Sequence, residues 1–206
     1  MEKKRNYFVL SDDDASLIRQ WWQALDSEKR GSPAIGMFKV LGKKEMAELR
    51  RAENLTSAML NRAYQFLAQL LPKYDRDGLA LVAGMLAHVR EDAGDGASIA
   101  RCMGSPKGGS NDPCVSPLRF ERLQTVHDAD EFMITAVRII KMLGGALDIR
   151  KLADDALVWS DETLNEHRPV KLANQLRVRW ATDYYLAGKR QESAVPVEES
   201  EEITIT

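Results

Sequence analysis

The sequence predicts an all-α protein of two helical bundles joined by a loop rich in glycine, serine and proline. Apolar residues recur three and four positions apart along most of the chain, which is the spacing of one buried helix face. Residues that cap helices precede several of these segments, and no alternating pattern indicates a strand. We expect the first bundle over 1–103, the loop over 104–117, the second bundle over 118–190 and an acidic disordered tail over 191–206.

The first bundle contains four predicted helices. Ser11 is expected to cap the first of them, because an acidic first turn and apolar residues at helical spacing follow it. A short helix is predicted over 45–51 and a longer one over 55–71, which Pro72 ends. The segment 77–89 is apolar enough to form the fourth helix.

The helices after the loop have clear start and stop signals. Ser116–Pro117 is an N-cap followed by proline at the first helical position. Asp128 and Glu131 predict a capping box before an apolar helix, which Gly144–Gly145 ends. The two remaining helix starts are predicted at Asp148 and Pro169.

Composition limits the class of protein. The chain has 206 residues, 44% of them apolar, which suffices for a substantial core. No apolar run is long enough to cross a bilayer, and the N-terminal residues lack an apolar signal core, so a cytoplasmic protein without membrane contact is expected. Cys102 and Cys114 flank the loop and are expected to be reduced thiols.

Charge is distributed unevenly along the chain. There are 29 basic and 31 acidic residues, but five of the acids lie in the tail, which leaves 26 acids in the body. An acidic tail on a locally basic body is compatible with nucleic-acid binding, although many ordinary surfaces share this composition. The tail acids are Glu192, Glu198, Glu199, Glu201 and Glu202, and residues 191–206 contain no lysine or arginine.

Motifs for metal binding or catalysis are weak. The histidines His88, His127 and His167 are far apart, and none has a second ligand at metal-site spacing. The loop contains one lysine among its glycines, but it lacks the Gly-Lys-Ser/Thr order and the preceding strand of a phosphate-binding loop. There is no nucleophile elbow. We therefore expect no metal and no cofactor.

One enzymatic alternative is a metal-dependent nuclease. Asp154 and Asp155 are neighbours on a predicted helix, where adjacent side chains point about 100° apart and do not converge on one metal without help. We expect one to be solvated and the other to form an ion pair on the helix surface. Asp161, Glu166 and Lys171 resemble a nuclease site only weakly, since such sites usually lie on strands.

Basic residues on helix faces are a more promising signal for binding. Arg119 and Arg122 are three residues apart, and Arg138 and Lys141 repeat that spacing, so each pair shares a helix face. Such faces can follow a phosphate backbone, although an ordinary solvated face has the same pattern. Further basic residues of this kind are Arg50 and Arg51 at the end of a predicted helix, and Lys171 and Arg179 on a polar stripe of the last helix.

Aromatic side chains can stack on nucleic-acid bases, but most of those here fall on apolar stripes. We expect Trp22 and Tyr185 to face outward. The aromatic residues expected in the core are Trp21, Trp159, Trp180 and Tyr184.

Several short motifs follow one another in a defined order. They are Trp-Trp-x-x-Leu, Arg-Gly, Leu-Arg-Arg-Ala, Arg-Phe-x-x-Leu, a basic helix, a segment with Asp and Leu that ends in Trp, and Trp-x-x-Asp-Tyr-Tyr. They occur at 21–25, 30–31, 49–52, 119–123, 136–140, 148–159 and 180–185. This series resembles the CasB family, the small subunit of the type I-E CRISPR Cascade complex, over about residues 17–187. The segments 31–44 and 161–168 and the tail depart from the family pattern and inherit no role.

The resemblance implies a non-catalytic, all-α protein of which two copies lie side by side in a crRNA-guided complex. It implies contacts with the large subunit and the backbone subunits, and stabilisation of the opened target DNA and its displaced single strand. Base pairing with the guide carries the specificity, so the protein only has to hold backbone charge. By position in the motifs, the resemblance selects Arg50, Arg51, Arg119 and Arg138, adds Arg177 and Arg179 before the closing Trp, and adds Arg76 at a turn. With Arg122 and Lys171, these are the candidate nucleic-acid-binding residues.

A helical adaptor that binds acidic protein surfaces through the same basic faces is the alternative. The dependence of affinity on salt separates the two hypotheses, because binding to phosphates releases counterions.

Overall fold

The computed structural model describes residues 9–26, 36–108, 110–167, 169 and 171–187. Within these residues the chain forms ten α-helices, two 3-10 helices (Gly36–Val40 and Leu172–Asn174) and a two-stranded sheet, so the predicted all-α class is confirmed. The predicted Arg30–Gly31 turn and the acidic tail lie outside the described residues. The helices are Asp12–Ala24 (α1), Lys43–Arg50 (α2), Leu55–Met59 (α3), Arg62–Leu70 (α4), Arg76–Leu86 (α5), Ile99–Gly104 (α6), Pro117–Thr125 (α7), Ala129–Met142 (α8), Ile149–Thr163 (α9) and Leu176–Ala187 (α10).

Capping side chains explain where many of these helices begin. Three of the four predicted caps, Ser11, Asp128 and Asp148, each accept a hydrogen bond from the backbone N–H three residues later, whereas the side chain of the fourth, Ser116, makes no capping hydrogen bond. Each such bond satisfies one of the four backbone donors that a helix start leaves unpaired. Pro117 occupies the first turn of α7, as predicted. Unpredicted caps of the same kind are Asn54, Asp75 and Ser98.

The prediction of one helix over 55–71 is wrong. The structure breaks it between α3 and α4, because Asn61 caps α4 with its side-chain oxygen 2.7 Å from the backbone nitrogen of Ala63. The Asn61 side-chain nitrogen also donates to the Glu45 carbonyl oxygen at 3.2 Å and ties this corner to α2. Asparagine competes with helix continuation in this way because its short amide reaches the local backbone.

The last helix begins later than predicted. α10 starts at Leu176 and not at Pro169, and a 3-10 helix lies between the two positions. The backbone N–H of Leu176 lies 3.1 and 3.0 Å from the two carboxylate oxygens of Glu162, which satisfies a free donor of the first turn. Leu172, in the 3-10 helix before α10, is 70% exposed.

A small sheet and helix α6 are additions to the predicted elements. The strands Glu91–Asp92 (β1) and Ala146–Leu147 (β2) pair in parallel, with Glu91 opposite Ala146. Two-residue strands are too short to show an alternating pattern in the sequence. They matter here because they join the segment after α5 to the turn after α8.

The core is organised around α5. Nine consecutive residues of this helix, from Gly78 to Leu86, are buried, and α5 packs against α8 and α9. Gly84 permits close approach to α8, since a Cβ there would lie 2.6 Å from the sulfur of Met133. Helix α6 packs against α10 in the same way at Gly104. Helices from before and after the loop therefore share one hydrophobic core, and the domain division at the loop stays a prediction.

The aromatic residues follow the expectation with one exception. Trp22 was expected to face outward, and this is wrong: it is 3% exposed, and its indole Nε1 donates to the Val89 carbonyl oxygen at 3.3 Å. Tyr185 is 54% exposed, as expected. The predicted core aromatics Trp21, Trp159, Trp180 and Tyr184 are all buried.

Candidate nucleic-acid interface

Three adjoining surface cavities form a groove between α7, α8, α2 and the segment after α5. Their volumes are about 420, 160 and 290 Å³, and neighbouring cavities share lining residues. Among the described residues, none that lines these cavities is acidic. We call this surface the basic groove, and its basic side chains are Arg50, His88, Arg90, Arg119, Arg122, Arg138 and Lys141.

Helices α7 and α8 position four of these side chains by their periodicity. Arg119 and Arg122 lie on the exposed side of α7, whose apolar side is buried. Arg138 and Lys141 have the same relation on α8. The two pairs line one cavity, so the spacing of three residues that was noted in the sequence brings all four to one place.

Most of these cations are not neutralised by the protein. Arg122 pairs with Glu131 at 3.4 Å, but both side chains are exposed, and such pairs contribute little. Arg119, Arg138 and Lys141 form no ion pair within the described part of the chain. Cations that face one groove without carboxylates create a positive potential that a bound anion would relieve.

Arg50 reaches the groove from the last turn of α2. Its Nε donates to the carbonyl oxygen of Ala87 at 2.8 Å, at the C-terminal end of α5, where helix carbonyls lack partners. Burial lowers the pKa of Arg50, Asp26 opposes this effect, and Arg90 adds to it. The guanidinium is thus held in place by the fold while the remaining nitrogens are available to a ligand.

Arg90 is placed by the turn after α8. Its backbone N–H donates to the Gly145 carbonyl oxygen at 2.8 Å, beside the β1–β2 pair. Gly145 has a φ of 80°, and a Cβ there would lie 3.1 Å from Cγ of Arg90. The predicted glycine stop of α8 therefore also makes room for a groove cation.

His88 reports the electrostatic environment of the groove. Burial lowers its pKa most, and together with the positive charges of Lys141 and Arg50 brings it to about 4. The imidazole is therefore neutral near pH 7, since the groove disfavours an additional positive charge. A phosphate between these groups would reverse that preference.

Three predicted site residues lie away from the groove. Arg51 is exposed at the C-terminal end of α2 but does not line the cavities. Arg76 is exposed in the first turn of α5, and its carbonyl oxygen accepts a bond from the Tyr64 hydroxyl at 3.2 Å. Lys171 is exposed before the second 3-10 helix. Their binding role stays a prediction.

Arg177 and Arg179 are engaged inside the protein. The guanidinium of Arg177 donates to the carbonyl oxygen of Val126 at 2.8 Å, and both arginines are half-buried. Arg179 lines a separate pocket with Asp155 and Trp180, and its charge lowers the pKa of nearby Glu162 against the larger effect of burial. The structure does not bring these two residues to the groove.

Sequence analysis did not select three groove residues. Lys141 had a usable signal, because it lies three residues after Arg138. Arg90 had none, since its position depends on the contact with Gly145 across the small sheet. His88 lies just beyond α5 and becomes part of the groove only when α8 packs against that helix.

The carboxylates considered for a nuclease are buried, so the expectation of a solvated acid and a surface ion pair is wrong. Asp154 is 0% exposed, and its Oδ1 lies 2.6 and 3.0 Å from the backbone nitrogens of Val9 and Leu10. Asp155 is 1% exposed and accepts from the Lys151 Nζ at 2.6 Å and from an indole nitrogen of α10 at 2.9 Å. These bonds assign both acids to the fold.

Neither a metal-binding cluster nor a membrane-spanning helix is found among the described residues. No three His, Cys, Asp or Glu side chains there are grouped so as to hold a metal ion. None of the described helices combines the length and the apolar character needed to span a membrane.

The fold and the groove together define a helical protein with an open cationic surface. The family described as CRISPR-associated protein Cse2 matches residues 45–185, which is more than half of the chain and includes every groove residue. The chain belongs to this family, that of CasB, the small subunit of type I-E Cascade. Searches of curated proteins and of solved structures returned no significant match. Membership makes the protein a CRISPR Cascade subunit that assembles with other Cascade components.

Proposed function

We propose that the basic groove holds the sugar-phosphate backbone of nucleic acid, and that the protein acts without catalysis as the small subunit of a crRNA-guided complex. In this role it stabilises the target DNA and the displaced single strand. The observation that supports the proposal is that Arg50, Arg90, Arg119, Arg122, Arg138 and Lys141 face one groove that has no acidic lining residue among those described.

The chemistry of the groove suits backbone contacts. Arginine presents a planar fork of donors that matches phosphate, and five of the six cations are arginines. Guide pairing supplies sequence specificity in such complexes, so the subunit needs no groups that recognise base edges. The groove also offers apolar surface from Met142, which is 45% exposed and against which a sugar or base can lie.

The partners in this proposal are the large subunit, the backbone subunits, a second copy of this chain, and crRNA paired with target DNA. Family membership supports assembly with other Cascade components. The surfaces used for each contact, and side-by-side pairing of two copies, are part of the proposal.

The test is a salt titration of single-stranded DNA binding. Four groove cations are replaced by glutamine in the full chain: Arg119, Arg122, Arg138 and Lys141. For single strands the log of affinity falls against log salt with a slope of about −0.7 per neutralised phosphate, so the variant is expected to lose up to about 3 units of slope. Helical content by circular dichroism should stay unchanged, because these side chains are exposed.

A matched control removes four exposed cations that do not line the groove. These are Lys39, Arg62, Arg101 and Lys107, also replaced by glutamine. The control has the same net charge as the groove variant, so both experience the same change in overall attraction to DNA. Equal slopes for the two variants would contradict the proposal.

The adaptor hypothesis keeps one supporting observation. Met142 is 45% exposed at the floor of the largest groove cavity, and an apolar floor suits a protein partner. If the adaptor hypothesis holds, the wild-type chain shows no salt-dependent DNA binding that depends on the groove, while the groove variant still loses its protein partner.

A further inference from the structure

We propose that the acidic segment 191–206 binds the basic groove of its own chain and competes there with nucleic acid. This inference rests on the proposed function, because it concerns the regulation of the same site. The proposed occupant of the groove is thus a defined part of this chain. Three features support the proposal: the place where α10 ends, the length of the segment that follows, and its charge.

The last described helix ends beside a helix that contributes to the groove. Tyr184 and Tyr185 lie in the last turn of α10, which ends at Ala187. Their rings contact Phe120 of α7, with centroid distances of 4.2 and 6.1 Å. On α7, Phe120 lies between Arg119 and Arg122, both of which line the groove. The segment therefore starts from a point beside the α7 side of the groove.

The segment is long enough to reach along the groove. Residues 188–206 follow α10 in the sequence, and an extended chain spans about 3.3 Å per residue, or about 60 Å for this length. The longest groove helix, α8, has 14 residues and is thus about 21 Å long. For a ligand joined to its site by a short linker, the effective concentration is on the order of millimolar, so even a weak contact can be populated.

The charge and the apolar content of the segment complement the groove. It carries five glutamates and no lysine or arginine from 191 onward, whereas the described residues lining the groove include no acid. Val195, Val197, Ile203 and Ile205 alternate with or flank these acids and can contact the aliphatic floor at Met142. A short acidic peptide with apolar side chains is expected to bind the groove more weakly than a phosphate backbone does. DNA can therefore displace it.

The first test compares DNA affinity in two full-length variants. One replaces Glu192, Glu198, Glu199, Glu201 and Glu202 by glutamine. If the tail occupies the groove most of the time, its neutralisation frees the site and tightens binding of single-stranded DNA, by about 3- to 10-fold at low salt. The gain should shrink as salt rises, because the competing contact is itself ionic.

A control separates occupation of the groove from general repulsion of DNA. It neutralises five exposed acids that do not line the groove, with Asp replaced by Asn and Glu by Gln. They are Asp13, Asp77, Asp95, Asp112 and Glu166. Both variants change net charge equally, so equal tightening would mean that only overall charge matters and would overturn the proposal.

A second test needs no DNA and so remains informative if the groove proves not to bind nucleic acid. A carbodiimide joins a lysine amine to a carboxylate that touches it, without a spacer. We expect amide links between Lys141 and the tail glutamates, and not between those glutamates and exposed lysines elsewhere, such as Lys39, Lys73 and Lys107. Links that spread over all lysines, or that join only different copies in a mixture of isotopically labelled and unlabelled protein, would overturn the proposal.

Discussion

Two regions of the molecule concentrate charge, and they use it in opposite ways. In the basic groove, cations from α2, α7 and α8 face solvent, with no acid among the described lining residues. Between α9 and α10, carboxylates are buried and bonded within the protein, as Asp155 is to Lys151 and Trp180. The comparison shows that the role of a charged helix face depends on its partners. Between α9 and α10 the charged groups stabilise the fold, whereas in the groove they are exposed and can bind a ligand.

The buried region depends on polar groups that come from distant parts of the chain. Burial raises the pKa of Asp154 and of Glu162, and in both cases backbone N–H donors oppose that effect. A buried carboxylate is tolerated when hydrogen bonds replace its hydration. Loss of one partner leaves the other group buried without compensation, which is costly.

The largest expected effect is on stability in the buried region. Asp155→Ala removes the acceptor of the buried Trp180 indole N–H and the carboxylate 2.6 Å from the Lys151 amine, and should lower the free energy of unfolding by about 3 kcal/mol. Urea denaturation followed by circular dichroism measures this change. Arg138→Gln in the groove is the comparison variant and should change stability by less than about 0.5 kcal/mol. Equal losses of unfolding free energy for the two variants would contradict the proposed difference between the regions.

The next effect is the pH dependence of stability that His88 contributes. Its pKa is about 4 in the folded protein against an ordinary value of 6.5, so the unfolded chain binds a proton first as pH falls. Stability is therefore lost as pH falls from 6.5 through 4, and because the side chain is partly exposed, solvent screening makes the loss smaller than the full pKa shift would give. The difference in unfolding free energy between wild type and His88→Asn, measured at several pH values, isolates this contribution from the carboxylates. A difference that does not vary with pH would contradict the assignment.

The same histidine tests whether an anion enters the groove. His88 faces Arg50, Arg90, Arg138 and Lys141, and a phosphate placed among them would favour its protonated form. Binding of single-stranded DNA should therefore tighten, relative to His88→Asn, as pH falls below 6.5. An identical pH profile of affinity for the two proteins would place the phosphates elsewhere.

A smaller effect is expected from alanine substitutions at Gly144 and Gly145, in the turn after α8. Comparing the two distinguishes a change in the position of Arg90 from a general loss of stability. Gly144 and Gly145 both have positive φ, near 77° and 80°, so alanine at either position should cost about 1 kcal/mol of stability. Only at Gly145 would the new Cβ approach the Arg90 side chain, at 3.1 Å. Gly145→Ala should therefore weaken DNA binding more than Gly144→Ala does. A fluorescence-anisotropy titration provides the comparison, and equal affinities would remove Arg90 from the site.

Local chemistry made much of the fold predictable, and distant contacts explain the rest. Ser11, Asp128 and Asp148 cap helices as expected, because a cap needs only its own next three residues. Asp154 was misjudged because its donors, Val9 and Leu10, lie about 145 residues away in sequence.

In the candidate site, too, local sequence predicts some residues correctly, whereas others depend on distant contacts. Arg119, Arg122 and Arg138 were selected from helix periodicity and the resemblance, and the structure brings them together. Arg177 has a similar local pattern, but packing of α10 directs its guanidinium to the Val126 carbonyl oxygen. Nothing in the sequence around either residue distinguishes these outcomes, since both follow from which helices become neighbours.

Arg138 and Arg177 therefore offer the most direct test of the central claim, that the groove and not α10 contacts phosphate. The measurement is the slope of log affinity for single-stranded DNA against log salt, for Arg138→Gln and Arg177→Gln, which remove the same charge. We predict a slope shallower by about 0.7 for Arg138→Gln and an unchanged slope for Arg177→Gln, whose lost hydrogen bond instead lowers stability by about 1–2 kcal/mol. A shallower slope for Arg177→Gln, with no change for Arg138→Gln, would contradict the account.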